Sequence, residues 1–443
     1  MRAGIAVNEI MMRILKKYGT AVCATLAIFV YQTVTVSISA NSRKYDETAG
    51  NMATDTIVYQ PSLKYGFPKA APNEIVDSAG VLHDFFGRLS SLRSSAGDSV
   101  STVSIVHMGD SHIQADFFTG TVRKLMNHYF GNPGRGLIAP HKLMKSNNGR
   151  HYKINSTNRW QHSFVVKPND IPIGITGMGL QVKDFAADAD ILTVDESFQG
   201  EWDFNRITAY CNLEKADVYL LHPDVTETDT IGSFAKSFLL DSLTNSAEIN
   251  FISPEKEISF SGFHLSNGKR GVFYNSIGIN GAKFCSYSLC TDDFYGQVAS
   301  LNPDLVILSM GTNEAIGAID EYRLYSDISE LVFHIRHSSP NTIVLFTTPA
   351  ETYARAGRRT PTVANGKIGK VRDIIVDFAE KNGYPYWDLY NITGGKGSAP
   401  EWNKKKLMVR DRIHLTQRGY EYQGELLFEA IVKSYNQYIK ANT

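Results

Sequence analysis

Past residue 70 the apolar positions Val76, Val81, Leu82, Phe85, Phe86, Leu89 and Leu92 recur at helical spacing, predicting a helix from about Asn73 to Arg93. The run Val103-Ser104-Ile105-Val106-His107-Met108 is short, β-branched and stopped by Gly109, the pattern of a buried strand entering a tight turn. Phe117 to Tyr129 returns to helical periodicity, so the segment opens as a strand–turn–helix unit. Residues 131–275 read differently. Short alternating segments, such as Ala216 to Leu221, Glu248 to Ile252 and Glu257 to Phe260, are separated by turn residues, which predicts an all-β sandwich. From Gly278 the alternation of strand and helix resumes. Asp304 to Met310 and Thr342 to Thr348 are buried-strand runs, Lys367 to Glu380 is a helix, a short strand lies around Tyr386 to Leu389, and a last helix starts near Gln417. Strands alternating with helices imply a mostly parallel sheet covered on both faces. The fold class expected is therefore α/β, with an all-β sandwich inserted in sequence.

The chain's 443 residues fit two or three domains at about 150 residues each. Forty-five Lys and Arg balance forty-five Asp and Glu, which argues against nucleic acid as a partner, because tracking phosphates needs excess basic charge. The N-terminus stands apart. Arg13, Lys16 and Lys17 precede an apolar run from Ala21 to Ile38 and a small-residue end, Ser39-Ala40, the layout of an export signal over 1–40. An uncleaved membrane anchor is the alternative. Residues 41–75 are polar and turn-rich and read as a linker. Beyond Cys23 in the leader, only Cys211, Cys285 and Cys290 remain, without Cys-x-x-Cys or zinc spacing, so neither a disulfide scaffold nor a structural metal is expected.

Ligands of open parallel sheets bind at the carboxyl ends of the strands, and three such ends carry polar clusters. Gly109-Asp110-Ser111-His112 places a serine on a sharp turn into a helix, where it is either a helix cap or an exposed nucleophile. Gly311-Thr312-Asn313-Glu314 offers an Asn amide that either holds its turn or donates to a developing oxyanion. Asp411-Arg412-Ile413-His414 spaces a carboxylate three residues before an imidazole. In a turn it can orient Nδ1–H and leave Nε2 free to take a proton. A His107/His112 metal pair is the weak competing reading, since no third ligand is near in sequence. Trp160, Trp202, Tyr210 and Tyr219 in the β-rich region could stack on sugars, but as core residues they need no such role, and no substrate-binding residue is assigned.

Gly109-Asp110-Ser111, Asn280-Gly281-Ala282, Gly311-Thr312-Asn313 and Asp411-x-x-His414 resemble, in order, the four blocks of the SGNH (GDSL-type) esterase family. More narrowly, Gly109 to Asp116, Gly131 to Gly136 and Asp411 to Tyr420 resemble the peptidoglycan O-acetylesterase branch, which carries a carbohydrate-binding-module-like β-sandwich between the serine and glycine blocks. The resemblance implies a three-layer α/β/α, flavodoxin-like hydrolase domain formed by 76–130 and 276–443, interrupted by a sandwich over 131–275. It implies Ser111 as nucleophile, His414 as base and then acid, and Asp411 as its orienter. Ser111 N–H, Gly281 N–H and the Asn313 amide would form the oxyanion hole, with no cofactor or metal. The implied partner is an O-acetylated glycan, peptidoglycan in the first place, met in the periplasm or outside a bacterium. O-acetyl transfer and hydrolysis of acetyl-xylan or other glycans use the same triad, and a non-catalytic glycan-binding envelope protein is the alternative of another class.

Overall fold

The computed structural model describes residues 56–62, 70–94, 101–147, 149–194, 201–354 and 363–442. The expected leader, 1–40, and residues 41–55 of the expected linker lie outside the described residues. Among the described residues no helix is long and apolar enough to cross a membrane.

The β-branched run Thr102–Gly109 is a strand with seven of its eight residues buried. It can be so because parallel neighbours flank it and helices cover both faces. Gly271–Gly278 pairs on one side and Leu305–Ser309 on the other, both parallel. Ile343–Thr347 and Tyr386–Trp387 continue the parallel order, and Ile75–Val76 closes the edge antiparallel, giving six strands. Val103 and Ile105 pack into one face with helices His83–Arg93, Phe117–Phe130 and Gln417–Asn442. Val106 and Met108 pack into the other with Glu321–Ser338 and Lys367–Asn382. In register Gly109 faces Gly278 and Ser309. The three loops that follow these strand ends therefore emerge side by side, and those loops hold the serine, glycine and asparagine blocks. This is a three-layer α/β/α arrangement.

Between the two halves of that sheet the chain builds two antiparallel sheets of seven and four strands. Ser246–Ile252 and Ala186–Thr193 alternate buried and open positions, as strands with one covered face must. The sheets meet face to face. Phe251 of the smaller stacks on Phe260 of the larger at 5.3 Å, and Trp160 packs edge-on against both. Trp202 and Tyr210 are fully buried, and Trp160 is half-buried with its indole N–H on Ser156. Of the four aromatics noted in the sequence, only Tyr219 is exposed, under the Lys236 ammonium.

Three expectations need correction. The helix expected over Asn73 to Arg93 starts only at His83. Ile75–Val76 is an edge strand, and the turn after it is held by the Asp77 carboxylate, which accepts the N–H groups of Val81 and Leu82. The described part of the expected linker is docked instead of free. Ile57 is buried and exchanges two hydrogen bonds with the Asn436 side chain, and Asn73 is buried between Trp387 Nε1 and the carbonyl of Leu426. A turn-rich composition hid these few apolar and amide anchors. Finally, Gly271–Gly278 belongs to the parallel sheet, so the sandwich strands end with Ile258–Ser266 and not at 275.

Candidate active site

Asp110 ends the central strand and caps the single-turn helix Ser111–Gln114. Its Oδ1 accepts the His112 N–H at 2.9 Å and its carbonyl accepts from Ile113 and Gln114. Ser111 thus begins a helix with its hydroxyl clear of the strand. Its Oγ lies 2.8 Å from His414 Nε2, and His414 Nδ1 lies 2.7 Å from Asp411 Oδ2. The other Asp411 oxygen accepts the N–H groups of Ile413 and His414 at 2.8 and 2.9 Å. Arg412, at φ 58, turns the chain so that the carboxylate can reach back. With Nδ1–H given to Asp411, the imidazole tautomer is fixed and Nε2 accepts the serine proton. Burial pushes the Asp411 carboxyl up, but the bonds from His414 and Ile413 outweigh it and hold the group below its usual range. The orienting group is therefore a carboxylate at neutral pH.

Gly281 and Asn313 stand beside this chain. Gly281 is exposed at φ +83, with open space where a Cβ would be, so a backbone N–H can meet a ligand there without a side chain intervening. The N–H groups of Ser111 and Gly281 donate to no other group among the described residues. Asn313 Nδ2 donates to Ala282 O at 3.0 Å and to Asp110 Oδ2 at 3.3 Å, tying the asparagine loop to both the glycine and serine loops. The structure thus gathers all five residues expected at the site: Ser111, Asp411, His414, Gly281 and Asn313.

The two histidines of the metal reading part company. His107 is buried in the sheet with its nitrogens on Tyr274 Oη and Ser309 Oγ, at 2.7 and 2.5 Å. His112 lies with its ring 5.4 Å from that of His414, and its Nδ1 bonds Tyr420 Oη at 3.0 Å. Burial, then the neighbouring His414, pushes its pKa down to about 3, so it stays neutral when His414 takes a proton. Among the described residues no group of three His, Cys, Asp or Glu side chains could hold a metal. A cavity of ≈ 40 Å³ behind the serine turn, lined by Asp110, His112, Thr312 and Pro349 among others, has room for water and not for a sugar ring.

Two buried carboxyls underlie the glycine and asparagine loops. Glu314 Oε1 accepts the Phe284 N–H at 2.8 Å and Oε2 is buried without a partner. Burial pushes both Asp110 and Glu314 up to about 7, and the Asp110 charge raises Glu314 further. Below about pH 4 both folded and unfolded chains hold these protons. As pH rises towards 7 the unfolded chain releases them first, so folding stability falls across that window and levels off above it. Glu314→Gln keeps the acceptor for Phe284 and removes the ionisation. It should flatten this decline by on the order of 1–3 kcal/mol, read as the difference in urea midpoints between pH 5 and 8. An unchanged slope would mean Glu314 is ionised throughout.

The resemblance over Gly109 to Asp116 implies a catalytic role for Ser111 and none for Asp116. Asp116 is buried and binds Arg123 and Arg135 at 2.9 and 2.8 Å, and accepts the Arg150 N–H at 3.1 Å. Those two guanidinium groups outweigh burial and hold its carboxyl far below the usual range. An Asp five residues past a nucleophile and an Arg in a glycine-rich connector are the only sequence signal of this pairing.

The sequence matches the GDSL-like lipase/acylhydrolase family over residues 241–422. That span holds Gly281, Asn313, Asp411 and His414, and Ser111 lies upstream of it. No curated protein matches the chain. Among solved structures, a peptidoglycan O-acetylesterase superposes with a TM-score of 0.67 at 20% identity, covering 84% of this chain and 99% of that one. A family two carbohydrate esterase from Cellvibrio japonicus gives 0.28 at 11% identity, covering 69% and 98%, and a putative acylhydrolase from Bacteroides fragilis gives 0.30 at 24%, covering 37% and 76%. The family match over 241–422, the α/β/α sheet and the Ser–His–Asp chain at its strand ends are together similar to those of GDSL-type esterases.

Proposed function

We propose that the protein is an exported carbohydrate esterase that removes O-acetyl groups from peptidoglycan through an acetyl-enzyme. The observation that carries the chemistry is the hydrogen-bonded line Ser111–His414–Asp411 beside the free N–H groups of Ser111 and Gly281. Ser111 Oγ attacks the ester carbonyl carbon as His414 Nε2 takes its proton, and Asp411 stabilises the imidazolium. The negative oxygen so formed is met by the Ser111 and Gly281 N–H groups and the Asn313 amide. Collapse breaks the bond to the sugar oxygen, which leaves with the proton from His414. Water, deprotonated by His414, then attacks the acetyl-serine, and acetate departs as Ser111 recovers its proton.

Support for a glycan target is the shared fold with a peptidoglycan O-acetylesterase, over a span too long to leave out the sandwich. Support for export is the basic, apolar, small-residue order of the first forty residues. The test is acetate release from O-acetylated peptidoglycan against acetylated xylan at matched ester content. Faster release from peptidoglycan is expected. Equal or faster release from xylan would sink the peptidoglycan assignment and leave the esterase standing.

A further inference from the structure

The one-turn helix that starts with Ser111 ends with Gln114, a buried side chain whose hydrogen bonds go to neither Ser111 nor His414. Its amide has two partners from distant parts of the chain. Oε1 accepts the N–H of Asn280 at 2.7 Å, and Nε2 donates to Ser146 Oγ at 2.6 Å. Asn280 directly precedes Gly281, so this bond fixes the peptide that leads into the Gly281 N–H. Ser146 lies in the loop between strands Gly136–Ile138 and Tyr152–Asn155 of the sandwich region. That loop is itself wound tight, with the Ser146 N–H on His141 O and a second anchor where Arg150 N–H meets Asp116.

The approach is close on the other side as well. A Cβ at Gly278 would lie 2.2 Å from Gln114 N and 2.6 Å from its Cα, so only glycine lets the strand end abut the nucleophile turn. Ile279 N–H then bonds Gly109 O and Ala282 N–H bonds Ile279 O, while Asn280 N–H goes to the Gln114 side chain. We infer that Gln114 is a positioning residue which sets the Gly281 N–H for the oxyanion and locks it to the 139–150 loop, making the inserted region part of the catalytic frame and not a detachable glycan binder. This rests on the reading of Gly281 as an oxyanion donor. Displacing a preorganised donor by a fraction of an ångström is costly, because its strength lies in being already aimed.

The discriminating substrate is 4-nitrophenyl acetate, which has no sugar for the sandwich to grip. Gln114→Ala should lower kcat on it roughly 10- to 100-fold with little change in KM. Gln114→Glu keeps an acceptor for Asn280 and should recover most of that loss. Ser146→Ala removes only the tether and should cost about 5-fold, the worth of one ordinary hydrogen bond. If Gln114→Ala fails to fold, the Glu and Ser146 variants carry the test. Wild-type kcat in Gln114→Ala, or in Ser146→Ala if the former is insoluble, overturns the inference. So does a loss confined to KM on acetylated peptidoglycan. Ser111→Ala runs alongside: if it retains activity, the nucleophile reading fails and Gln114 is not what was tested.

Discussion

Ser111→Ala should abolish acetate release, lowering kcat by about 10⁴- to 10⁶-fold, the scale on which serine hydrolases lose activity when a triad member is deleted. The size follows from what the hydroxyl does at its place. It sits 2.8 Å from a nitrogen whose tautomer is fixed by a carboxylate 2.7 Å away, so its proton has an acceptor in place as Oγ attacks. Ser309, at the neighbouring strand end, is committed to His107 and Thr347 in the sheet. The fold should survive, since the turn is held by the Asp110 carboxyl and carbonyl and not by the serine hydroxyl. The check is acetate release with the variant's thermal midpoint beside it. An unaltered midpoint with residual activity above this range would show that another group is the nucleophile.

How much of this was legible in the sequence depends on the range of each interaction. The central strand was readable because burial on both faces needs a continuous β-branched run, and Val103 to Met108 is one. Asp411 and His414 were readable because a three-residue spacing can close in a single turn, and the turn at Arg412 closes it. Position along the sheet was readable too, since parallel strands put their carboxyl ends together. What the sequence hid are contacts whose two ends have no common pattern. Nothing in Gln114 or Ser146 announces the other, thirty-two residues away. Glu314, next to Asn313, carries no role in the sequence pattern, yet it is buried against the Phe284 N–H. The sequence boundary at 275 cuts through the strand Gly271–Gly278. Only the pairing with Thr102–Gly109 assigns it to the hydrolase sheet. Ile57 and Asn73 were lost in a polar stretch for the same reason: two anchors suffice to dock a segment, and two residues make no period.

Asn313→Ala should lower kcat by about 10²- to 10³-fold, the cost of one side-chain oxyanion donor, with KM for a small acetate ester little changed. In the resting site both amide hydrogens of Asn313 are held, one by Ala282 O at 3.0 Å and one by Asp110 Oδ2 at 3.3 Å. An oxyanion must therefore compete for one of them. The bond to Asp110 is the longer, and burial keeps that carboxyl protonated to about pH 7, which weakens its hold as an acceptor. The developing oxyanion is the stronger acceptor, and it exists only in the transition state. The donor is then satisfied at rest and redirected when charge appears, so its loss falls on kcat. Because the oxyanion forms in both acylation and deacylation, each step should slow in Asn313→Ala, measured as the pre-steady-state burst and the turnover that follows. The tether to Ala282 goes with the side chain, so a lower thermal midpoint is expected as well. A variant that is less stable yet turns over at the wild-type rate would make Asn313 a loop brace and leave the Ser111 and Gly281 N–H groups as the whole oxyanion hole.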